Sequence, residues 1–191
     1  MASVPTKLMT AEEFYDWSQL WENRDRNVKL EAGRLIELPL TGQRKGFVCG
    51  KLCWLLGTHV RERRSGYVCA NNVGLILERN PDTVLGPDIA VFLDRRKFAD
   101  LEIGYCEHMP ALAVDVLSET YSIGKIQKRV NRFLKSGIAM VWLIDTEDRI
   151  VTVNLPGKLP IVLEGDEEVA GFGVLPGFRC KVSDFFATAG E

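Results

Sequence analysis

The sequence predicts an α/β protein in which at least two strands of the main sheet run parallel. Two apolar, β-branched runs, Leu112–Leu117 and Met140–Ile144, flank a helical segment from about Ser122 to Ser136. A strand, helix and strand in this order form a crossover unit, which makes the two strands parallel neighbours inside a sheet. The length of 191 residues suits one well-developed core, and no repeat or linker divides the chain. We therefore expect residues 1–191 to form a single domain.

Composition and charge limit the classes of function. The chain is 46% hydrophobic and 26% charged, and no apolar run approaches the roughly 20 residues that cross a bilayer. The start, Met1–Pro5, lacks the apolar core of a signal peptide, so a cytoplasmic protein without a membrane partner is expected. The formal net charge of −2 means that any nucleic-acid contact must depend on a local basic patch.

Cysteine usage indicates a reducing compartment. The five cysteines are an odd number and have no CxxC spacing, which argues against a disulfide framework. Cys49 and Cys53 lie one helical turn apart, but neither of the two histidines adjoins them. We interpret both as small buried hydrophobic residues rather than metal ligands.

The first third of the chain contains a helix, a hairpin and a longer helix. The stretch Thr10–Glu13 has the pattern of a capping box that opens a short helix. The apolar stripe of that helix is interpreted as core packing and consists of Phe14, Trp17 and Trp21. Val28–Leu38 reads as two strands turning at Ala32-Gly33. An amphipathic helix from about Arg44 to Arg64 is expected to end at Gly66, with a solvated cationic end.

The remaining segments are mostly strands. The predicted strands are Tyr67–Cys69, Val73–Leu77, a strand through Asp88, Ile150–Asn154 and Ile161–Leu163. A turn at Leu175–Phe178 and a short helix from Ser183 to Phe186 close the chain.

Two strand segments carry one carboxylate each. Asp88 lies in Gly86–Phe92, and Asp115 lies in Ala111–Ser118, both among apolar residues. An ionised Asp in a half-buried strand costs several kcal/mol unless a cation or hydrogen-bond donor meets it, and two such groups repel each other. A divalent cation bound between them would offset both the cost of burial and the mutual repulsion. The alternative is that each Asp faces solvent at a strand end.

The helix after Asp115 carries a stripe of cations. Its apolar side is formed by Ile123, Ile126, Val130, Phe133 and Leu134. The basic stripe consists of Lys125, Lys128, Arg129, Arg132 and Lys135. No Asp or Glu lies between Thr120 and Ile144, so the stripe has no partner within its helix. Two interpretations of the basic stripe remain open: it is a solvated helix face, or it is a face that binds phosphate. Arg129 is nearest the apolar edge and can turn toward the sheet, whereas Lys128 is the most solvent-exposed.

Two carboxylates that hold Mg²⁺ beside a cation suit metal-assisted phosphodiester hydrolysis, because the metal activates water and neutralises phosphate charge. The sequence contains no GxSxG, P-loop, GxGxxG or HExxH motif, so the corresponding hydrolase, NTPase, dehydrogenase and zincin classes lack support.

The order of six motifs resembles the Uma family of putative restriction endonucleases, in the PD-(D/E)XK nuclease superfamily. The similar segments are Met9–Phe14, Leu30–Leu38, Pro87–Ala90, Val114–Ser118, Val141–Asp145 and Leu175–Phe178. The resemblance implies a restriction-endonuclease-like mixed β-sheet flanked by helices. It also implies that Asp88 and Asp115 bind Mg²⁺ or Mn²⁺, that DNA is the partner, and that a homodimer forms.

The chain departs from the family pattern at the site. The second carboxylate is Asp115 where the family has Glu, and Leu117 replaces the superfamily lysine. Family members carry a lysine in the following helix, where this chain has Arg129, which binds phosphate but cannot act as a general base. Lys29 replaces a Glu of the first hairpin, although Glu31 lies on the same strand face. Lys45 replaces a histidine that precedes the long helix.

Two functions follow from these patterns. The first is a metal-dependent endonuclease of DNA in which Asp88 and Asp115 bind Mg²⁺ and Arg129 stabilises the phosphate. Lys125 and Glu31 are further catalytic candidates in that hypothesis. The alternative is a catalytically inactive nuclease-fold module that binds nucleic acid or a protein partner.

Overall fold

A computed structural model describes residues 8–117 and 122–190 of the chain. The helices are α1 (Ala11–Gln19), α2 (Gln43–Arg63) and α3 (Ile123–Lys135). The first strands are β1 (Val28–Glu31), β2 (Arg34–Glu37), β3 (Tyr67–Ala70), β4 (Leu75–Glu78), β5 (Thr83–Leu85) and β6 (Ile89–Phe92). The later strands are β7 (Leu112–Leu117), β8 (Met140–Asp145), β9 (Ile150–Asn154), β10 (Ile161–Glu164), β11 (Glu168–Ala170) and β12 (Arg179–Lys181). The predictions for Met1–Pro5, Ser118 and Thr120 lie outside the described residues.

A six-stranded mixed sheet in the order β10-β9-β8-β7-β6-β3 forms the centre. Strands β7 and β8 pair in parallel, and the other neighbours in this sheet are antiparallel. The predicted crossover unit is therefore confirmed, with α3 as its connection. A second sheet has the order β2-β1-β5-β4, and β11 and β12 form a separate pair.

The two faces of the six-stranded sheet pack against different helices. On one face Leu52 and Leu56 of α2 are fully buried against side chains that include Val114 and Trp142. On the other face Phe133 of α3 packs among residues of β6, β7 and β8. Because side chains alternate along a strand, β7 sends Val114 to the α2 face and its neighbour Asp115 to the α3 face.

Several local predictions are confirmed. Thr10 and Glu13 form both hydrogen bonds of the capping box at the start of α1. The hairpin turns at Ala32 and Gly33, which both have positive φ. Cys49 and Cys53 are free, partly buried thiols that pack against the core between α2 and the six-stranded sheet. Burial raises the pKa of Cys49 to about 12.

Three local predictions are wrong. Trp21 is 74% exposed because α1 ends at Gln19, before its helical period reaches Trp21; the Arg24 guanidinium stacks on its ring. Ile123 is 85% exposed because it is the first residue of α3, where none of the described elements covers it. Helix α2 ends at Arg63 and its C-cap, Arg64, adopts the left-handed conformation, so the predicted end near Arg64 is confirmed but Gly66 is not the residue that stops the helix. At Gly66 a Cβ would collide with the Phe92 carbonyl oxygen, so glycine permits a close approach of two backbones.

Candidate active site

The sheet brings the two strand carboxylates together. In the antiparallel pair β6–β7, Ile89 lies opposite Val114, and extending this register by one residue places Asp88 opposite Asp115. Both residues are buried, with 8% and 5% of their surface exposed. The Asp115 charge is close enough to raise the pKa of Asp88. Strand pairing alone therefore creates a pair of buried like charges.

A lysine from α2 meets the first carboxylate. The Lys45 ammonium lies 2.8 Å from Oδ1 of Asp88, and the Val116 backbone N–H donates to Oδ2 at 2.7 Å. Burial, followed by the Asp115 charge, raises the pKa of Asp88, while Lys45 and the Val116 N–H oppose the rise. Lys45 therefore holds a carboxylate that its surroundings would otherwise tend to protonate.

Arg129 meets the second carboxylate from the opposite helix. Its Nε donates to Oδ2 of Asp115, and its Nη2 donates to Oδ1 at 3.0 Å. The same Nη2 donates to the Gly86 carbonyl oxygen at 2.6 Å, and the guanidinium carbon lies 5.0 Å from the Phe133 ring centroid. This two-pronged contact fixes the orientation of the guanidinium, which a lysine at this position would not reproduce.

Glu31 lies in a third cluster of charges on the same side. Its carboxylate pairs with Lys29 at 3.1 Å and with Arg132, which also lies 3.6 Å from Glu78. Burial raises the pKa of Glu31, but the hydrogen bonds from Arg132 and Lys29 outweigh it and leave the pKa lowered. Two cations of the basic stripe on α3, Arg129 and Arg132, therefore pair with carboxylates on other elements.

These groups line one groove with a volume of about 510 Å³. Its polar wall includes Lys29, Glu31, Lys45, Asp88, Asp115, Lys125, Lys128, Arg129 and Arg132. Lys125 and Lys128 are exposed, and neither forms an ion pair with any of residues 8–117 and 122–190. Within the described part of the chain, the groove thus offers two ammonium groups without an ion-pair partner beside the paired carboxylates.

The two carboxylates in the groove are oxygen ligands of the kind that a hard cation prefers. Asp88 and Asp115 supply carboxylate oxygens, and Mg²⁺ commonly binds one or two carboxylates while substrate phosphate and water complete its shell. Each carboxylate already has a cationic partner, so a divalent ion would compete with Lys45 and Arg129. Within the described part of the chain, no cluster of three or more His, Cys, Asp or Glu side chains could hold a metal.

Lys45 is the residue that sequence reasoning left out of the site. Its substitution for a histidine was visible, but no spacing connects it to Asp88, 43 positions later in the chain. The break at Pro39 and Gly42 before α2 was the available signal, because it places Lys45 in the first turn of a helix that ends beside the sheet.

Comparisons with known proteins agree with this geometry. A crystal structure of a putative nuclease belonging to DUF820 from Anabaena variabilis superimposes with a TM-score of 0.74 at 20% sequence identity, over 93% of this chain and 97% of that one. The restriction-endonuclease-like fold is thereby confirmed. No curated protein sequence matches the chain. Among the described residues no helix is long and apolar enough to cross a membrane.

The family assignment comes from the sequence. The model of the Uma2 family, described as "Putative restriction endonuclease", matches residues 11–183. That range contains all three helices and every residue of the groove discussed above. The chain therefore belongs to the Uma2 family.

Proposed function

We propose that this protein hydrolyses phosphodiester bonds of DNA with the help of Mg²⁺ or Mn²⁺ held by Asp88 and Asp115. The observation that carries the proposal is the pair of buried carboxylates on neighbouring strands at the head of a groove lined by lysines and arginines. A purely structural pair of buried ion pairs would not need a groove or unpaired cations beside it.

Each residue of the groove has a role in this proposal. The bound metal would activate water and neutralise charge on the scissile phosphate. Arg129 is always protonated, so it stabilises phosphate oxygens and does not accept a proton. Lys45 pairs with Asp88 and Arg129 pairs with Asp115. Lys125 and Lys128 bind phosphates that flank the reacting one, and Glu31 orients Arg132 at the rim of the groove.

One observation favours the second candidate, a nuclease-fold module that binds nucleic acid without cutting it. All four carboxylate oxygens of Asp88 and Asp115 already accept hydrogen bonds or ion pairs from Lys45, Val116 and Arg129. If those contacts persist when DNA binds, the cations themselves neutralise the carboxylates and no divalent ion enters. The two candidates therefore differ in whether a metal can displace the Arg129 and Lys45 contacts.

Metal binding separates the candidates first. Titration of Mn²⁺ into the purified protein, followed by calorimetry and by the Mn²⁺ spin-resonance signal, should show one site that Asp88→Asn and Asp115→Asn abolish. Asp16→Asn, a change of the same kind at an exposed position on α1, should leave the site intact. Removing the competitor with Arg129→Met should tighten Mn²⁺ binding, because Asp115 loses its guanidinium partner.

DNA cleavage is the second step. Supercoiled plasmid incubated with protein and Mg²⁺ should become nicked or linear, and Asp88→Asn should stop the reaction at a temperature at which circular dichroism shows that the variant is folded. If Mn²⁺ does not bind, or binds without any cleavage over a range of sequences and salt concentrations, hydrolysis is excluded and the binding module stands. Sedimentation of the same samples would test the expected homodimer.

A further inference from the structure

A second pocket lies at the far end of α2. It has a volume of about 390 Å³, and its polar wall consists of His59, Arg63, Ser65 and Arg95. Eighteen residues of helix separate Arg63 from Lys45, which corresponds to about 27 Å at 1.5 Å per residue. The pocket is therefore separate from the carboxylate groove, and ligand binding there is independent of the proposed hydrolysis.

The histidine of this pocket is held in place by the turn at Leu175–Phe178. The His59 ring meets the Phe178 ring edge-on, with centroids 5.2 Å apart, and the nearby Pro176 backbone raises the pKa of His59, opposing the effect of burial. A neutral imidazole has one N–H donor, and protonation gives it a second. His59 can therefore add a second donor when an anion is present.

The arginine beside it lies against a glycine. Nη2 of Arg63 lies 2.6 Å from where a Cβ of Gly177 would be, so the guanidinium packs closely on the backbone of this turn. Gly177 also has a φ of +75°, which favours glycine independently. The turn at Leu175–Phe178 thus shapes one wall of the pocket for Arg63.

The charges around the pocket are predominantly positive. Neither Arg63 nor Arg95 forms an ion pair with a residue of the described ranges. Asp94, next to Arg95, is engaged by His108 at 2.7 Å and by Arg96. Burial, and then the Arg63 charge, lowers the pKa of His59, while Glu62 acts in the opposite direction. Two arginines line one cavity, and among residues 8–117 and 122–190 no carboxylate belongs to its wall.

We propose that this pocket binds a phosphate group, with Arg63 and Arg95 as the charged ligands and His59 as an additional hydrogen-bond donor. The guanidinium fork matches the geometry of phosphate oxygens. The volume exceeds that of one inorganic phosphate, so the group belongs either to a nucleic-acid backbone or to a small phosphorylated molecule. Both sources present the same oxygens to the two arginines.

Sulfate is the first probe, because its charge stays constant while His59 titrates. Calorimetric titration of the full chain with sulfate against a chloride background of equal ionic strength should detect one site. Arg63→Ala should weaken it about tenfold, the size expected for losing a charge-assisted hydrogen bond. Arg61→Ala, on the same helix but outside the pocket, should change the affinity little. Binding should be tighter at about pH 6 than at about pH 8, because protonated His59 gains a donor.

The nuclear magnetic resonance signal of the His59 ring gives an independent readout. Sulfate should shift that signal and raise the pKa of His59, since an anion opposes the effect of Arg63. The Arg95→Ala variant should weaken binding to a similar degree, which keeps the test valid if Arg63→Ala fails to fold. Equal losses in Arg63→Ala and Arg61→Ala, or no shift at His59, would overturn the proposal.

The source of the phosphate is decided by two further probes. If a short DNA duplex binds less tightly to Arg63→Ala, and the slope of log K against log salt concentration falls by about one, the pocket contacts a backbone phosphate. If the duplex is unaffected while a 5′-mononucleotide competes with sulfate, a small phosphorylated ligand is indicated. Absence of binding with sulfate, inorganic phosphate, mononucleotide and duplex alike rules out an anion site.

Discussion

The Lys45 ammonium lies 2.8 Å from a carboxylate oxygen of Asp88, and this contact joins the first turn of α2 to the start of β6. Only 16% of the lysine side chain and 9% of the aspartate side chain are exposed. A buried ion pair of this kind adds little folding stability compared with two packed apolar residues at the same positions. Removing one partner, however, leaves the other charge buried without a partner. The pair therefore makes α2 and the carboxylate site depend on each other.

Replacing Lys45 by Met should destabilise the protein by about 3 kcal/mol near neutral pH, because Asp88 remains buried without its cation. The pKa of Asp88, already raised by burial, should rise further. A carboxyl whose folded pKa lies above its unfolded value loses stability as the pH rises between the two values. The deficit measured by urea unfolding should therefore be smaller at about pH 4 than at about pH 7.

Arg44→Met is the matched control for that experiment. Arg44 is the neighbouring residue, its side chain is 74% exposed, and it pairs with Glu147 at the surface. An exposed pair of this kind contributes at most about 1 kcal/mol. A Lys45→Met deficit that does not depend on pH would show that lost packing, rather than the Asp88 charge, is responsible.

Asp82 provides a pH dependence of the opposite sign. It accepts hydrogen bonds from the Ala11 N–H at 2.9 Å, the Asn80 N–H at 3.1 Å and Arg79 at 2.7 Å. Burial raises the pKa of Asp82, but these hydrogen bonds outweigh it, so the pKa is lowered. The stability that Asp82 contributes is present above its unfolded pKa and disappears as the pH falls through the folded pKa.

Asp82→Asn should therefore cost about 2 kcal/mol at about pH 7 and much less at about pH 2, as measured by urea unfolding. Asp16→Asn, on the exposed side of α1, should cost little at either pH. A larger cost in acid than at neutral pH would contradict the assigned direction of the pKa shift.

Lys125 and Lys128 are exposed cations of the groove that form no ion pair with any described residue, so DNA can reach them directly. If each neutralises one backbone phosphate, the double variant Lys125→Ala with Lys128→Ala should weaken duplex binding and reduce the slope of log K against log salt by about two. Lys158, exposed in the turn between β9 and β10, serves as the control. Fluorescence anisotropy over a range of salt concentrations measures both quantities. An unchanged slope would assign the two lysines to solvated surface.

Glycines at two positions of the α2 region should respond to alanine with opposite signs. A Cβ at Gly50 of α2 would meet nothing within 4 Å, so Gly50→Ala should stabilise the protein by about 1 kcal/mol through helix propensity. A Cβ at Gly66 would collide with the Phe92 carbonyl oxygen, so Gly66→Ala should cost at least about 2 kcal/mol. Thermal unfolding measures both. Destabilisation by Gly50→Ala would mean that a partner packs on that face of α2.

Local patterns predicted most of the secondary structure because they depend on near neighbours in the chain. The capping box at Thr10, the hairpin at Gly33 and the parallel pair β7–β8 are examples. The failures at Trp21 and Ile123 share a cause. Each lies at or beyond a helix end, where helical periodicity no longer determines which side chains are buried.

The sequence by itself determined the strands that carry Asp88 and Asp115, the helix that carries Arg129, and the family to which the chain is similar. Only the tertiary structure decided that Lys45 meets Asp88, that Arg132 meets Glu31, and that Lys125 and Lys128 line the groove. The physical reason is the distance along the chain over which each kind of interaction is determined. Hydrophobic periodicity is written into successive residues, whereas an ion pair depends on the distance between side chains that lie tens of residues apart in the chain.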